Sequence, residues 1–578
     1  MVKLAIDGRE VDVPEGSKIA LAAAMAGVKI PTLCAFRNLN EIGACRVCVV
    51  EVEGQDRLVT ACNTPVTEGM RIRTNTPKVR RARKTNVELV LSQHNTECTT
   101  CVRNGNCTLQ SLAADFGLIE MPYDVEWTLE SWNADFPIIR DSSKCIKCMR
   151  CVQVCDNVQA VHVWDIKNRA TRTTIGVTGA VAIEETKCAA CGQCITHCPV
   201  GALRERDDTD LVWAAIADPE ITTVVQVAPA VRAAWGESLG LTREQATPGK
   251  MVAALRALGF DYVYDTNFAA DLTIMEEGTE LLERLAHKDE YEFPMFTSCC
   301  PGWVRYMKGH HPEKVPMLST SKSPQQMFGA TVKAYFEKTK GLDPRKVFCV
   351  SIMPCTAKKY ECGVPQLSDA SPLGDVDVAL TTREMIRMVN RQQVIPQMLP
   401  EDTFDSPLGE GTGAAVIFGA TGGVMEAALR TAYFVVTGEN PNADAFSDVR
   451  GMDGWKEATF DLAGTPLRVA VASSLGATGK LLAALDAGEV EYDFVEIMAC
   501  PGGCAGGGGQ PIRDGVEQAE VRSGVLYTLD KNAHTRFSHE NSEVQAIYEN
   551  FYGKPLSELA EELLHTDQRE WDFNYYAD

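Results

Sequence analysis

The spacing of apolar residues along the chain changes near residue 220. Residues 2–13 alternate between apolar and polar positions around Asp7-Gly8, which predicts two short strands joined by a turn. The alanine-rich stretch that follows predicts a helix capped by Ser17 and ending near Met25, and residues 77–93 predict a second helix opened by a proline. Between about 95 and 205, cysteines rather than apolar residues set the spacing, as expected where metal bonds replace part of a core.

Beyond residue 220 the pattern becomes one of buried strands followed by helices or loops. The strands are predicted in TTVVQVAP before VRAAWGESL, KVFCVSIMP before a polar loop, AAVIFGATGG before VMEAALRTA, and DFVEIMACP before a glycine run. This alternation predicts an α/β domain. Functional residues of such domains gather at the carboxyl ends of strands, which is where Cys355 and Cys500 stand.

Composition and charge limit the classes of partner and compartment. The formal net charge is −22, from 56 basic and 78 acidic residues, which disfavours nucleic acid and anionic membranes as partners. The first residues lack the apolar core of a signal peptide and no stretch resembles a membrane span, so we expect a cytoplasmic protein. The 22 cysteines recur at CxxC spacings in a large chain, which favours metal binding over disulfides.

Two cysteine motifs in tandem are the most specific feature. CIKCMRCVQVC and CAACGQCITHCP both have the CxxCxxCxxxC spacing of ferredoxins with two 4Fe4S clusters, in which the fourth cysteine of each motif serves the other cluster. The predicted ligands are Cys145, Cys148, Cys151 and Cys198 for the first cluster, and Cys188, Cys191, Cys194 and Cys155 for the second. A pair of zinc sites is the alternative, but zinc takes four ligands per site and gives no reason for a crossed fourth cysteine.

Two further sets of ligands precede the tandem motif. A Cx10CxxCx13C set resembles plant-type 2Fe2S ferredoxin domains, although its spacing is looser, and consists of Cys34, Cys45, Cys48 and Cys62. An Hx3CxxCx5C group is compatible with zinc or with a cluster that has one imidazole ligand, and consists of His94, Cys98, Cys101 and Cys107. Four clusters in series would form an electron conduit, which implies a redox site at its end.

The helix predicted over residues 77–93 carries a cluster of basic residues, namely Lys78, Arg80, Arg81, Arg83 and Lys84. Such a cluster could dock a partner. A solvated helix face is the commoner use of a charge run and is the expectation here.

The other cysteines are scattered over the last two thirds of the chain, so folding must assemble any site they form. FTSCCPGW, IMPCTAKKYE and EIMACPGGCAGGGGQP resemble the three signature motifs of the FeFe-hydrogenases. The N-terminal modules resemble, in the same order, the accessory domains of clostridial monomeric members of that family. The resemblance implies a multidomain α+β and α/β fold: a β-grasp 2Fe2S ferredoxin-like domain (1–77), a small 4Fe4S cluster domain with one histidine and three cysteine ligands (78–125), a two-4Fe4S ferredoxin domain (126–209) and a large α/β hydrogenase domain (210–578).

The resemblance also implies the activity, the reversible reduction of protons to dihydrogen, and the cofactors. The active-site H-cluster of the family is a 4Fe4S cubane joined to a di-iron unit that bears carbon monoxide, cyanide and a dithiolate amine. One 2Fe2S and three 4Fe4S accessory clusters accompany it. The implied ligands of the cubane are Cys300, Cys355, Cys500 and Cys504, of which Cys504 also bridges to the di-iron unit. The implied pocket residues are Pro229, Ala230, Pro324, Gln325, Met353, Phe418 and Met498, with Lys358 as a donor to cyanide.

A proton path is implied by the same resemblance. Cys299 is left unligated beside a ligand and is implied to relay protons, for which a thiol is suited because its unperturbed pKa of about 8.5 lies near working pH. Glu277, Glu280 and Arg284 share one face of a predicted helix and, with Ser319, resemble the rest of the family's path. The residues alone would favour a solvated face for these glutamates. If they are buried, they must be hydrogen-bonded or raised in pKa.

Two other classes of protein share parts of this pattern. An electron-transfer subunit like the large iron–sulfur subunit of respiratory NADH dehydrogenase would not need TSCC, MPCTAK or MACPGGC. A cluster-assembly or sensory protein built on the hydrogenase domain would lack fast turnover, and Cys299, Glu280 and Lys358 argue against the assembly role. The electron partner is open between ferredoxin and a flavoprotein subunit of an NAD(P)-linked complex. The resemblance further implies maturation proteins that supply the di-iron unit.

Overall fold

Residues 2–73 form a five-stranded mixed sheet. The computed structural model describes residues 1–462, 464–571 and 573, and gives the strand order β2-β1-β5-β3-β4 for this sheet. β1 pairs antiparallel with β2 and parallel with β5. The strands are β1 (Val2–Ile6), β2 (Arg9–Val13), β3 (Val49–Val52), β4 (Val59–Thr60) and β5 (Arg71–Arg73).

One helix, α1 (Ile19–Met25), packs on this sheet. The turn predicted at Asp7-Gly8 is confirmed, because β1 and β2 pair directly across it. The prediction that Ser17 caps the helix is wrong: Lys18 is the N-cap residue and its side chain makes no capping bond. The carbonyl of Ser17 accepts a hydrogen bond from the Val66 amide, so pairing with a distant segment holds this residue outside the helix.

Two helices, α2 (Pro77–Leu91) and α3 (Thr108–Asp115), follow the sheet. The Thr76 hydroxyl accepts a hydrogen bond from the Val79 amide and so caps α2. Arg83 is buried, and its guanidinium donates two hydrogen bonds, of 3.1 and 2.9 Å, to the Val49 carbonyl of β3. These bonds fasten α2 to the five-stranded sheet of residues 2–73, next to Cys48. The other basic residues of the helix are not buried, as predicted for a solvated face: Lys78, Arg80, Arg81 and Lys84.

The tandem cysteine motifs lie in a module of two hairpins and two short helices. β6 pairs antiparallel with β9, and β7 with β8. The elements are β6 (Ile138–Arg140), α4 (Arg150–Asn157), β7 (Trp164–Lys167), β8 (Thr174–Val177), α5 (Gln193–His197) and β9 (Leu203–Glu205). Arg150 is buried and donates to the carbonyls of Leu33, Cys34 and Ala35 and to the carboxylate of Asp514, so it joins this module to both neighbouring parts of the chain.

The large C-terminal region contains two four-stranded sheets. The first is wholly parallel, in the order β11-β10-β13-β14, and the second, β12-β17-β16-β15, is parallel except for its edge strand β15. The strands are β10 (Thr222–Val227), β11 (Tyr262–Asp265), β12 (Met295–Phe296), β13 (Val347–Met353), β14 (Val378–Thr381), β15 (Trp455–Leu462), β16 (Thr465–Ser473) and β17 (Phe494–Met498). This confirms the α/β pattern predicted beyond residue 220.

Helices cover both sheets. They are α6 (Thr209–Ala217), α7 (Pro248–Leu258), α8 (Thr266–Ala286), α9 (Pro301–His310), α10 (Pro324–Lys340), α11 (Ala357–Glu361), α12 (Thr382–Arg391), α13 (Gly413–Ile417), α14 (Gly423–Thr437), α15 (Leu475–Asp486), α16 (Ala519–Asn532), α17 (Ser542–Ile547) and α18 (Glu558–Leu564). Among the described residues, no helix combines the length and apolar composition needed to cross a membrane.

Two local predictions for this region are wrong. AAVIFGATGG forms α13 and the loop before α14 instead of a strand; every residue of α13 is buried, and a short apolar run buried on all sides does not separate strand from helix by periodicity. VRAAWGESL was expected to form a regular helix, but only a 3₁₀ turn, Pro229–Ala233, precedes Trp235. The placement of Cys355 and Cys500 just after the ends of β13 and β17 is confirmed.

Candidate active site and cluster sites

Four cysteine thiols from separate segments line one internal cavity of about 80 Å³. Cys300 is the N-cap residue of α9, Cys355 and Cys500 follow β13 and β17, and Cys504 lies in the 3₁₀ turn Gly503–Gly506. The carboxyl ends of strands from the two sheets and the start of a helix therefore bring them together. Removal from bulk water, followed by the charges of the other thiolates, raises the pKa of Cys500 to about 12.

The donor chemistry of this cavity fits an iron–sulfur cubane. Soft thiolates are the usual ligands of such clusters. Four thiolates around one zinc ion at about 2.3 Å would lie within about 4 Å of one another. Among the described residues, no group of three His, Cys, Asp or Glu side chains is arranged to hold a single metal ion. The four thiols together line a cavity of about 80 Å³, which leaves space between them for a group of several atoms.

Every residue predicted to complete the pocket lines this cavity: Pro229, Ala230, Pro324, Gln325, Met353, Phe418 and Met498. Most of these side chains are apolar, so the wall of the cavity excludes water. Gln325 is the polar exception, and its amide is held by the Ser351 hydroxyl, which donates at 2.6 Å, and by the Glu361 carboxylate, which accepts at 2.9 Å. The sequence did not single out Thr266 and Ala270, which line the cavity from the first turns of α8.

Lys358 lies at the rim of the same cavity as half of a buried ion pair. Its ammonium is 2.8 Å from the Glu361 carboxylate and 3.3 Å from the Cys299 carbonyl oxygen. Burial alone would lower the pKa of Lys358, but the charge and hydrogen bond of Glu361 raise it above 10.5. Lys358 is therefore a cation held against the cavity. Glu361 stands within the motif IMPCTAKKYE, yet its role could not be read from the motif, because the pairing depends on the turn of α11.

Cys299 also lines the cavity and lies close to Glu277. Removal from water, and then the charge of Glu277, raises the pKa of the Cys299 thiol. Glu277 is fully buried, and its Oε1 atom accepts a long hydrogen bond of 3.4 Å from the Ser298 amide, whereas its Oε2 atom has no hydrogen-bond partner among the described residues. Burial and the neighbouring Glu280 raise the pKa of Glu277 to about 8. Glu277 is thus protonated at neutral pH.

Glu280 is one helical turn from Glu277 and is held by several donors. The Ser319 hydroxyl donates to its Oε2 atom at 2.6 Å, and the Thr320 amide approaches both oxygens at 3.1 and 3.2 Å. Arg284 donates to its Oε1 atom at 2.5 Å and to the Leu318 carbonyl at 2.9 Å. The expectation of a solvated face for the glutamates on residues alone is wrong: both are buried on α8.

The crossed arrangement of the tandem motifs is visible in the side chains. A small cavity is lined by Cys145, Cys148, Cys151 and Cys198. The charge of Cys198 is the chief electrostatic cause, after burial, of the raised pKa of Cys148. Cys155 instead lies close to Cys188, and burial together with the charge of Cys188 raises the pKa of Cys155 to about 12. The fourth cysteine of each motif therefore lies with the first three of the other.

The four cysteines of the first module lie together. Cys34 and Cys45 share a hydrogen bond between their thiols, as do Cys48 and Cys62, and the charges of the two pairs act on each other. The Cys45 amide also donates to the Cys34 sulfur at 3.5 Å. In each pair one thiol has a raised pKa and its partner a lowered one, because one sulfur donates to the other. Four thiols meeting in this way suit a cluster.

The remaining set lies between the first module and the tandem motifs. His94 is buried, and its Nδ1 atom is 3.0 Å from the Lys144 carbonyl oxygen. A carbonyl partner requires that nitrogen to carry the proton, which leaves the lone pair of Nε2 available to bind a metal. Cys107 and Cys101 lie close enough for their charges to interact, and the Cys107 thiol contacts the Pro199 carbonyl at 3.9 Å.

The second tandem motif touches the active-site loops directly. The Thr356 hydroxyl donates to the Ala190 carbonyl at 2.6 Å, and the Cys500 thiol lies 3.9 Å from the Cys191 carbonyl. Gly508 approaches Gly192 so closely that a Cβ atom added to Gly508 would lie 2.7 Å from the Gly192 Cα atom. The loop that carries three of the cysteines predicted to bind the second cluster is thus in backbone contact with the loop after Cys504.

Comparison with family models divides the chain into matched regions. Residues 221–508 match the C-terminal domain of the iron-only hydrogenase large subunit, and residues 516–569 match the iron hydrogenase small subunit. Residues 1–77 match a 2Fe-2S cluster binding domain, 83–122 the NADH-ubiquinone oxidoreductase-G iron–sulfur binding region, and 144–202 a 4Fe-4S dicluster domain.

Similar proteins span nearly the whole chain. The NADP-reducing hydrogenase subunit HndD of Solidesulfovibrio fructosivorans is 48% identical over 98% of each chain. Iron hydrogenase 1 of Clostridium pasteurianum is 38% identical over 98% of this chain and 99% of its own. The solved structure of apo HydA1 from Chlamydomonas reinhardtii, an FeFe-hydrogenase, superposes with a TM-score of 0.56 and 43% identity over 62% of this chain and 98% of its own. With iron–sulfur domains in series before this catalytic domain, the chain belongs to the iron-only, or FeFe, hydrogenases.

Proposed function

We propose that this hydrogenase interconverts protons and dihydrogen at an H-cluster held by Cys300, Cys355, Cys500 and Cys504. The observation that supports this most strongly is their convergence on one apolar cavity with a fifth thiol, Cys299, in its wall. When bound, the H-cluster supplies the redox chemistry that joins protons and electrons. The residues of the chain hold it, exclude water and carry protons.

The wall of the cavity has two functions in this proposal. Met353, Met498 and Phe418 exclude water and offer soft, polarisable contacts. Lys358 presents a fixed ammonium, which suits the anionic cyanide ligands of the di-iron unit. Its pairing with Glu361 keeps the ammonium charged despite burial.

Protons would travel along a row of buried groups. We assign the row as Cys299, Glu277, Ser319, Glu280 and Arg284, because the charge of Glu277 acts on Cys299 and the Ser319 hydroxyl, which bonds Glu280, also lies close to Glu277. Glu277 holds a proton up to about pH 8 and can release it, which a relay near neutral pH requires. The salt bridge of Arg284 with Glu280 marks the outer end.

Electrons would arrive through four accessory clusters in the domains proposed at 1–77, 78–125 and 126–209. One 2Fe2S cluster on the first module, one 4Fe4S cluster on the His94 set and two 4Fe4S clusters on the tandem motifs make a continuous series. The second tandem cluster would be the last donor, since its loop touches the active-site loop at Gly192 and Gly508.

The electron partner is proposed to be a flavoprotein subunit of a nicotinamide-nucleotide-linked complex. The supporting observation is the 48% identity, along the full chain, with a subunit named for NADP reduction. Ferredoxin is the second candidate. Dedicated maturation proteins would insert the di-iron unit. A cytoplasmic location is proposed because the 22 cysteines recur at spacings that favour metal binding over the disulfides of secreted proteins.

The test is anaerobic production of the chain with and without maturation proteins. We expect dihydrogen evolution from reduced viologen, and infrared bands of bound carbon monoxide and cyanide, only in the matured protein. Bands without turnover would favour a sensory protein, and absent bands in fully matured protein would contradict the active-site assignment. Addition of NADPH or reduced ferredoxin, each with a candidate partner, then identifies the physiological donor.

A further inference from the structure

A second buried group of ionisable side chains lies beside the proposed proton path. Glu276 is fully buried on α8, and the Tyr548 hydroxyl donates to its Oε1 atom. The His565 Nε2 atom is 3.1 Å from its Oε2 atom, and the Leu556 amide donates to the same oxygen at 2.9 Å. A buried carboxylate with three donors is well satisfied. Glu276 and His565 are 289 positions apart in the chain, so tertiary folding alone forms this pair.

The other face of His565 leads to the proton path. Its Nδ1 atom is 2.8 Å from the Thr320 hydroxyl oxygen. The amide of Thr320 donates to both oxygens of Glu280, and the preceding residue, Ser319, donates to the same carboxylate through its hydroxyl. The Thr566 amide also donates to the Thr320 carbonyl at 2.8 Å. Hence the segment that carries His565 holds the segment that carries Ser319 and Thr320, two of the three residues that donate to Glu280.

The charges around His565 favour its protonated form. Burial alone would lower the pKa of this imidazole, but the hydrogen bond and charge of Glu276, with smaller contributions from Glu280 and Glu561, raise it above 6.5. Tyr548 and Leu556 approach from the segment before α18, Arg284 pairs with Glu280, and the ammonium of Lys322 pairs with Asp369 and Asp375. The protonated form of His565 is thus favoured near Glu280, on an element other than the helix that carries Arg284.

We propose that the His565–Glu276 pair is a positioning element of the proton path: it fixes Thr320, and through Thr320 and Ser319 it fixes the carboxylate of Glu280. The inference rests on the proposed function, because it assumes that Glu280 carries protons. Neither His565 nor Glu276 touches the reacting atoms. Their effect is on the geometry and charge of a carboxylate that does carry protons, and a misplacement of such a group is costly to proton transfer.

Two substitutions separate position from charge. His565→Ala removes both the contact with Thr320 and the cation. His565→Gln keeps an amide that can bond Thr320 and Glu276 but carries no charge. His539→Ala is the matched control, because His539 is a second buried histidine of the same C-terminal region, stacked on Phe434 and bonded to Asn440, away from the path.

The measurement is dihydrogen evolution and oxidation from pH 6 to 9, with each rate divided by the intensity of the infrared carbonyl bands so that loss of cofactor is not counted. We expect His565→Ala to slow both directions about tenfold. His565→Gln should recover most of the rate, because its side-chain amide can take over both contacts of the imidazole. His539→Ala should stay within about twofold at every pH.

Two outcomes would overturn the inference, and they are distinguishable. If Glu280→Gln blocks turnover but His565→Ala keeps the normalised rate and pH profile within about twofold, the pair only fastens the C-terminal segment. A uniform loss at every pH that His565→Gln does not relieve leads to the same conclusion. If Glu280→Gln itself keeps full activity, the proton path fails, and the positioning inference fails with it.

Discussion

The Lys358 ammonium and the Glu361 carboxylate are 2.8 Å apart, in an ion pair whose side chains are 9% and 7% exposed. Removal of one member of a buried pair leaves an uncompensated charge, at a cost of about 3–5 kcal/mol. Glu361 also accepts hydrogen bonds from Gln325 and Ser323, so it joins α11 to the start of α10.

We therefore expect Glu361→Gln to lower the melting temperature of the chain and to reduce the fraction that acquires carbonyl and cyanide bands. The control is Glu220→Gln, which removes the partner of Lys346 in an exposed pair and should leave the melting temperature almost unchanged. Equal melting temperatures for the two variants would show that the Lys358 pair is not held as the structure indicates.

Replacement of Cys299 by alanine should stop proton delivery without loss of the cofactor. We expect normal infrared bands and at least a hundredfold lower rates of evolution and oxidation, because general acid–base groups contribute about 10²–10⁴-fold. Cys349→Ala serves as the control, since Cys349 is buried in β13 away from the cavity. Full turnover in Cys299→Ala would remove this thiol from the path.

Glu277 should make both activity and stability depend on pH. Its pKa in the folded chain is about 8, above the 4.5 of an exposed glutamate, so the folded state binds the proton more tightly. The contribution of Glu277 to stability therefore falls as pH rises between these two values. The melting temperature of Glu277→Gln, minus that of the unmodified chain, should therefore increase from pH 6 to pH 8.5. Evolution by the unmodified enzyme should fall above about pH 8. A melting difference independent of pH would mean that Glu277 is ionised throughout.

Serine at position 198 should damage the first tandem cluster, not the second. Cys198 lies with Cys145, Cys148 and Cys151. Cys198→Ser is therefore expected to alter the electron paramagnetic resonance signal of the cluster proposed at these four cysteines. Cys155→Ser should alter the signal of the cluster next to the active site and slow electron delivery more strongly. An identical spectral change from both substitutions would contradict the crossed ligation.

Replacement of Gly508 by alanine should push the loop after Cys504 away from the loop that contains Cys191 and Gly192. A Cβ atom there would lie 2.3 Å from the Cys191 carbonyl oxygen, which is backbone and cannot move aside cheaply. We expect Gly508→Ala to slow viologen-driven turnover or to abolish cluster loading. Gly524→Ala is the control, because Gly524 is exposed in α16 and its Cβ would meet nothing within 4 Å. Wild-type rates in Gly508→Ala would show that this contact is not needed.

Much of the site could be predicted from the sequence because its ligands carry their own local signals. CxxC spacings indicate a cluster from about a dozen neighbouring residues. Cys355 and Cys500 follow apolar runs that contain β-branched residues, which favours strands. Failures occurred where the deciding contact is distant. The local sequence predicts Ser17 as a helix cap, because nothing near it in the chain indicates the hydrogen bond between its carbonyl and the distant Val66 amide. AAVIFGATGG forms a helix instead of the predicted strand. The run is buried on all sides, so its conformation depends on tertiary packing and cannot be inferred from the periodicity of its apolar residues.

The pairing of His565 with Glu276 is another contact that could not be predicted from the sequence. Neither residue stands in a signature motif, and the fold alone brings them to the edge of the proton path. The burial of Glu277 and Glu280 could not be predicted either. Their spacing places them on one helix face, and that spacing is equally typical of a face exposed to solvent.

The meeting of Gly192 and Gly508 bears on how fast the enzyme can be driven. Electron tunnelling weakens steeply with distance, and two residues without side chains let the loops proposed to carry the last accessory cluster and the catalytic centre touch main chain to main chain. Transfer across this junction needs no collision and no rearrangement, so the overall rate is expected to be set upstream, by the donor, or on the proton side.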